Sequence, residues 1–488
     1  MVENNKQHKI NSKHPYGLLI FTFAEFFDRF SFCGTLTILI LYLTKNYFFS
    51  DAKAYAAWGA YNALSQITPI FGGIIADRIL GFERSVIIGL IMIIAGNCLL
   101  GFSSLLGLNL GVSLTLCGIG LFKGNLSSLV GMLYKPQDPR IDNAYSTFFM
   151  GIVLGATLGP AVFGILIMHY GWHISFLLSA FGNLLSLMIF LFYRQKISYE
   201  SLPKQSELLM KKWLGKITTH HLFYLGLLIT VGMASLIFIY PILSNSILAL
   251  ISLIAVLALT LIALRGSRID AKQILGLILL DLLLISYYAA SMQVNGSLVI
   301  GIERNFHLQL FGWTIPSTIF ASLETLFAFL LLPISAKLWT YLSRKYFAPS
   351  ILFKIGLGHL FAAMSFAIFA WVFSSNIYTL PGLIAANLIL GMSVVCIFPT
   401  HLSAVSQYSP VRIKGMLMGM SYLSSALSAY LGSMISAFDY PAKGVSVYTH
   451  MYMNIAVLMF AICLLLVFIS PLLKALFSSW AEEVLVGQ

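Results

Sequence analysis

Charge is what this sequence has least of. Only 9% of its 488 residues are Asp, Glu, Lys or Arg, against 59% hydrophobic, where a soluble domain carries about 25% charged residues. That shortage excludes a water-soluble fold, and the mass of apolar side chain excludes disorder. A nucleic-acid binder is excluded as well, although 29 basic and 17 acidic residues leave a formal charge of +12. In a membrane protein Lys and Arg report topology rather than a polyanionic partner. Cysteine is scarce too. Cys33, Cys98, Cys117, Cys396 and Cys463 all fall inside apolar stretches, show no metal-ligand spacing and read as small buried hydrophobes. The first fifteen residues, MVENNKQHKINSKHP, lack the apolar core and small-residue cleavage site of a secretory signal. The first apolar span is therefore expected to direct insertion. No nucleophile–base pair stands near a span end, so an enzyme is not expected, and neither is a cofactor or a metal.

What is present in quantity is long apolar runs. A membrane helix needs about 20 mostly apolar residues, and unbroken runs of that length argue against the alternating pattern of a β-barrel. Fourteen are found: 16–44, 53–77, 85–104, 108–134, 144–170, 172–193, 221–243, 245–265, 271–301, 316–342, 351–375, 380–407, 413–438 and 447–477. The expected fold is an all-α polytopic bundle. The polar stretch 194–219 splits the chain after six spans. The expected organisation is a tail over 1–15, six helices over 16–193, a linker over 194–219, a two-helix hairpin over 220–265 that is free of charge up to Arg265 at its end, six helices over 266–477 and a tail over 478–488. Two six-helix halves suggest a transporter built from repeats.

Lys and Arg orient the bundle. With the N-terminus inside, the outer side carries only Lys45, Lys53, Arg304 and Lys443, and Arg29 and Lys123 lie within spans. All other basic residues fall on inner segments or inner helix ends, as the positive-inside rule requires. Both termini are expected in the cytoplasm and the chain in the plasma (inner) membrane.

Ionisable groups inside the bilayer cost roughly 3 kcal/mol or more each on insertion scales and mark function by default. The first span reads FAEFFDRFSF, so Glu25, Asp28 and Arg29 fall at i, i+3 and i+4 on one helix face. Glu25 lies roughly 14 Å from the start of the span. Two acids beside one cation cannot both be fully paired, and one of them is expected to exchange a proton. The alternative is a static ion cluster that glues helices together. Lys123 of the fourth span either snorkels to the interface or pairs with Glu25 or Asp28 across a cavity. Asp281 and Glu324 fall near mid-span. Each is either a proton or substrate group, or a protonated acid bonded to a neighbouring helix. His401, behind Pro399, and His359 read as packing residues or proton relays. In GGIIADRILGFER, Asp77 and Arg78 close a helix and Gly81 permits a tight turn before Arg84. Such a loop can lock helices by ion pairs that break when the halves rock. Gly151, Gly155 and Gly159 form a small-residue stripe that permits close helix packing.

Several of these stretches resemble one family. GGIIADRILGFER is similar to the cytoplasmic loop signature of the major facilitator superfamily. EFFDRFSFCG resembles the ExxERFSYYG motif of the proton-dependent oligopeptide transporters. So do GAYNALSQITPIFGGIIADRILG, GLFKGNLSSLVGMLYKPQDPRIDNAYSTFFMGIVLGA, IPSTIFASLETLFAFLLLPISAKLW and, more weakly, FPTHLSAVSQYSPVRIKGMLMGMSYLSSAL. The resemblance implies a major facilitator fold of fourteen helices, six plus six with a two-helix insertion, working by alternating access. It also implies cargo uptake coupled to protons, with Glu25, Asp28 (a glutamate in the family), Arg29 and Lys123 as the coupling residues.

The cargo pocket of the family does not carry over. The first-span tyrosine pair becomes Phe32 and Cys33. The arginine that holds a peptide carboxylate falls at Leu36 and its acidic partner at Met292. The second-span tyrosine becomes Gln66 and the fifth-span asparagine Val153. The glutamate that meets a peptide amino terminus becomes Val394, the eleventh-span tryptophan Ser421, and the eighth-span Asn-Pro becomes Glu324–Thr325. Phe32, Gln66, Phe149, Asp281, Met292, Glu324, Val394 and Ser421 are the expected cargo contacts. Loss of the carboxylate fork and of the ammonium acceptor removes the charge-assisted bonds that orient a zwitterion. The expected function is a monomeric, proton-coupled symporter in the lipid bilayer that imports small peptides or a related solute. A carrier of an amino acid, amine or nucleoside, a proton-antiport exporter, and a non-transporting sensor are the alternatives.

Overall fold

The computed structural model describes residues 14–102, 104–135, 138, 140–197, 212–214, 217–218, 226–232, 234–236, 240, 261, 268–345, 349–375, 379–408, 414–437 and 444–486. Side chains of 212–214, 217–218, 268–271, 406–422 and 470–486 are outside the description, as is that of Asp142. The first half comprises α1 (Tyr16–Lys45), α2 (Asp51–Ile75), α3 (Phe82–Leu100), α4 (Leu105–Met132), α5 (Ile141–Tyr170) and α6 (Trp172–Tyr193). The second comprises α7 (Arg268–Ser291), α8 (Ser297–Asn305), α9 (Ile319–Lys345), α10 (Ile351–Ser375), α11 (Thr379–Tyr408), α12 (Lys414–Ala437) and α13 (Val445–Val486). Two short antiparallel ribbons, Lys212–Leu214 with Ile217–Thr218 and Gln309–Leu310 with Trp313–Thr314, lie between helices.

Helix is the solution that satisfies every backbone group internally where no water is available. Among the described residues ten helical segments are long and apolar enough to cross a bilayer. At 1.5 Å per residue, α2 (25 residues) and α12 (24 residues) are also long enough. They pack against each other across the two halves, as do α5 and α9. The expected hairpin lies largely outside the described residues, and the part that is described, within Gly226–Leu236, is helical.

One expected span is broken. A single run over 271–301 was expected, but α7 stops at Ser291, a 3₁₀ turn covers Met292–Val294, and α8 resumes at Ser297. The cause is a polar side chain inserted at the break. Buried Gln293 donates to the carbonyls of Ala289 (3.2 Å) and Gly432 (2.8 Å), and its Oε1 accepts from Ser297 (2.8 Å) and Ser436 (2.6 Å).

The glycine stripe on α5 sets the place of α1. A methyl added at Gly151 would stand 2.7 Å from the Thr22 carbonyl oxygen, and one at Gly155 would stand 2.8 Å from Cβ of Arg29. Only glycine lets the two backbones approach so closely, and this approach presents the charged face of α1 to the interior.

Candidate functional site

On α1 the helical spacing places the three charges together and the packing seals them. Arg29 Nε donates to Glu25 Oε1 at 2.9 Å, and its Nη2 lies 2.7 Å from Asp28 Oδ2. Glu25, Asp28 and Arg29 are 2%, 1% and 7% exposed, so each charge depends on the others. One arginine cannot saturate two carboxylates, and Glu25 Oε2 is buried with no hydrogen-bond partner among the described residues. The guanidinium also stands 5.6 Å from the centroid of Phe32, whose ring stacks on Tyr61.

Lys123 departs from expectation. Its ammonium donates to Gln66 Oε1 at 3.0 Å rather than pairing with Glu25 or Asp28, because Arg29 already occupies the acids. It remains within electrostatic reach of both. Gln66, expected to touch cargo, is thus held by the cation.

The positions where the family keeps its peptide fork are filled and quiet. Leu36 is 6% exposed, and its carbonyl accepts from Trp58 Nε1 at 2.8 Å. Met292 meets α2 of the other half, where Asn62 Nδ2 lies 2.9 Å from its sulfur. Val394 packs against the apolar core of the second half. Ser421 lies in α12, and its side chain is outside the described residues.

Asp281 and Glu324 meet different surroundings. Asp281 Oδ1 lies 3.0 Å from His401 Nε2, joining α7 to α11 with both side chains under a tenth exposed. His359 bonds the Ile355 carbonyl (2.9 Å) and Ser286 (3.3 Å) within the core. Glu324 Oε1 accepts from Ser291 Oγ at 2.6 Å.

The three residues expected to lock the loop, Asp77, Arg78 and Arg84, are all exposed. Asp77 and Arg78 lie in a π-helical turn, Ala76–Leu80, followed by Gly81 at φ 80°, and among the described residues they make no ion pair. Arg84 stands on the first turn of α3. The halves are joined by ion pairs at the end of the bundle that carries Lys45 and Arg304. There Lys45 pairs with Glu303, which also accepts from Ser317 (2.8 Å), and Arg304 pairs with Asp51. Thr37 bonds Asn295 at 3.2 Å just beneath. Toward the other end a cavity of about 580 Å³ opens between the halves. Phe149 lines it from α5, with Trp339, Lys354, Phe398 and Thr400 from the second half. Sequence reasoning used Lys45 and Arg304 for topology alone and did not single out Asp51, Glu303, Ser291 or Asn62. Their acidic and hydroxyl partners lie far away in the chain, so no spacing betrays them. Among the described residues no three His, Cys, Asp or Glu side chains converge to hold a metal.

Comparison with known proteins decides the lineage. The family model described as "POT family" matches residues 83–451. The chain belongs to the POT family. It is therefore an integral membrane transporter with the major facilitator fold. The chain is 28% identical over 439 residues to the "Uncharacterized transporter YclF" of Bacillus subtilis (strain 168), covering 87% of this chain and 88% of that one. It is 27% identical over 448 residues to the "Peptide transporter YePEPT" of Yersinia enterocolitica subsp. palearctica serotype O:3 (strain YE-P4), covering 86% and 87%. Among solved structures, a POT family transporter in complex with 5-aminolevulinic acid superposes with a TM-score of 0.80 at 26% identity, covering 94% of this chain and 96% of that one. A peptide transporter POT in complex with sulfate gives 0.80 at 27%, covering 95% and 96%. Against that POT background, the self-paired cluster on α1 and the filled fork positions are the features to interpret.

Proposed function

We propose that this POT-family chain is a proton-coupled symporter that imports small peptides or a related small solute by alternating access between its two six-helix halves. The observation that carries the reading is the buried cluster on α1. Two carboxylates share one guanidinium, and among the described residues Glu25 Oε2 and Asp28 Oδ2 are buried with no hydrogen-bond partner. A proton arriving on one acid would neutralise it and release Arg29 to the other carboxylate alone, with Lys123 left on Gln66; when the proton leaves, the re-formed carboxylate would draw Arg29 or Lys123 back. The outer ion pairs and the inner cavity correspond to a state closed outside and open to the cytoplasm, with both termini cytoplasmic by the basic-residue asymmetry. The named relatives support peptide-like cargo: besides the peptide transporter, the chain is 24% identical to a "Dipeptide and tripeptide permease B". Protons are the coupling ion, no cofactor is required, and a monomer suffices.

Leu36 and Met292 favour a second reading of the cargo, as an amine or amino-acid-like solute that needs no carboxylate fork. In proteoliposomes with an imposed proton gradient, Glu25→Gln is expected to lose concentrative uptake and to keep cargo exchange. If the variant still concentrates cargo, the proton role of the cluster is wrong.

A further inference from the structure

Charge balance around the central space is uneven. On the first half, Glu25, Asp28, Arg29 and Lys123 cancel. On the second, Asp281 faces His401. Glu324 is the remaining buried carboxylate among the described residues, and no cation meets it. Among the described residues its one hydrogen bond comes from the Ser291 hydroxyl, at 2.6 Å on Oε1. Oε2 takes none from any described residue, and the side chain is 7% exposed. A buried carboxylate left without a counter-charge is costly as an anion, so it takes up a proton or meets a cation, and a cationic ligand arriving there would displace that proton.

The surroundings fit an organic cation. Tyr287 and Tyr288 lie within electrostatic reach of Glu324. The Tyr288 ring meets Phe398 edge-on at 6.4 Å, and Phe398 with Phe149 lines the cavity between the halves. Aromatic faces beside a carboxylate attract an alkylammonium group more than they attract a hydrated metal ion. Ser291 is the last residue of α7, one residue before Met292, which touches Asn62 of the other half. The site therefore stands where the halves converge.

We propose that Glu324, oriented by Ser291, binds the ammonium group of the cargo, and that the cargo's other end needs no fixed positive partner. The inference rests on the transport reading above and names the substrate class of that site: an amine-bearing solute, whether the amino terminus of a short peptide or a free amine.

Four probes test it on the purified full-length protein: alanyl-alanine, its C-terminal amide, its N-acetyl derivative and putrescine. The wild type is expected to bind probes with a free amine and to tolerate the amide, while the N-acetyl derivative binds at least about tenfold more weakly. Dialanine binding more tightly than putrescine identifies a peptide amino terminus, and the reverse order identifies a free amine. Glu324→Gln should weaken the amine probes about tenfold or more, with Glu324→Asp intermediate. If Glu324→Gln does not fold, Ser291→Ala carries the test and should weaken amine probes about three- to tenfold without moving the N-acetyl derivative. The proposal is overturned if the N-acetyl derivative binds like the parent, if neither variant changes amine binding, or if no amine probe binds the wild type. Proton-driven uptake separates the two readings. Binding without uptake removes the transport reading and leaves the ammonium site, whereas undiminished uptake in Glu324→Gln removes the site and leaves transport.

Discussion

Arg304 grips Asp51 with both arms of its guanidinium, Nη1 to Oδ2 at 2.6 Å and Nη2 to Oδ1 at 2.7 Å, tying α8 of the second half to the first residue of α2. The bond is bidentate and specific in geometry. Both side chains are nearly half exposed, so water screens the pair and it is worth about 1 kcal/mol at most. A latch of that strength biases a conformational equilibrium without freezing it. Arg304→Gln is expected to shift the population toward the outward-open state about fivefold, and Asp51→Asn to do the same. The swap Asp51→Arg with Arg304→Asp should restore closure. Spin-label distances between the outer ends of α2 and α8 read the shift, and unchanged distances in both single variants would reject the latch.

Among the described residues Arg29 is the one cation in direct contact with the two sealed acids, and its loss differs in kind from loss of either acid. Removing it strands two buried carboxylates, for which the expected cost is about 3–5 kcal/mol. Asp28→Asn leaves Arg29 paired with Glu25 and should cost far less. Thermal unfolding in detergent should therefore rank Arg29→Gln well below Asp28→Asn. Equal melting temperatures would mean that another group neutralises the acids.

How much of this could be read from the residues alone divides along a physical line. The helices of the two halves were legible because lipid demands a long apolar run wherever the chain crosses, and α6 coincides with the expected 172–193. Contacts within one helix were legible for the same kind of reason. Glu25, Asp28 and Arg29 meet because 3.6 residues per turn puts them on one face. Contacts between helices were not legible. Lys123 bonds Gln66 instead of an acid, and Asp281 finds His401 although each residue was singled out separately. Helix–helix register depends on the whole packing, which neither spacing nor hydropathy encodes. The break at Met292–Val294 had a weak signal: Gln293, Asn295 and Gly296 are polar or flexible residues inside an apolar run.

The Asp281–His401 pair supports a double-mutant test. Both groups are buried between α7 and α11. Truncating either leaves the other without its partner, whereas replacing both with apolar residues of similar size removes the problem. Asp281→Leu and His401→Leu should each destabilise by about 2–4 kcal/mol, and the double variant by clearly less than their sum. Additive losses would show that the two side chains do not act on each other.

The loop before α5 holds an ion pair of a different sort. Arg140 donates to Asp138 through its backbone N–H (2.9 Å), Nε (3.0 Å) and Nη2 (2.7 Å), which pulls the Asp138 carboxyl down to about 2. A depressed carboxylate contributes its full stabilisation above its ordinary value and loses it only as pH falls through about 2. Over roughly pH 5–8 the pair therefore stays charged. Asp138→Asn is expected to leave the shape of the pH–uptake profile unchanged, whereas Glu25→Gln should flatten it. A shifted profile in Asp138→Asn would bring the loop into coupling.

The glycine stripe on α5 allows the last test, because it links packing to the charged face it supports. A methyl at Gly155 would crowd the backbone of α1 and Cβ of Arg29 at 2.8 Å, and backbone cannot swing aside as a flexible side chain can. Gly155→Ala should cost about 1–3 kcal/mol through overpacking, and part of that strain should fall on the Arg29–Glu25 geometry. Gly73, with nothing near its would-be Cβ, is the control on α2. Substituting Ala there replaces the more flexible residue within a helix and should be neutral or stabilising by up to about 1 kcal/mol. If Gly155→Ala melts like Gly73→Ala and takes up cargo with an unchanged dependence on the proton gradient, then α1 has room that the close approach of the two backbones denies it.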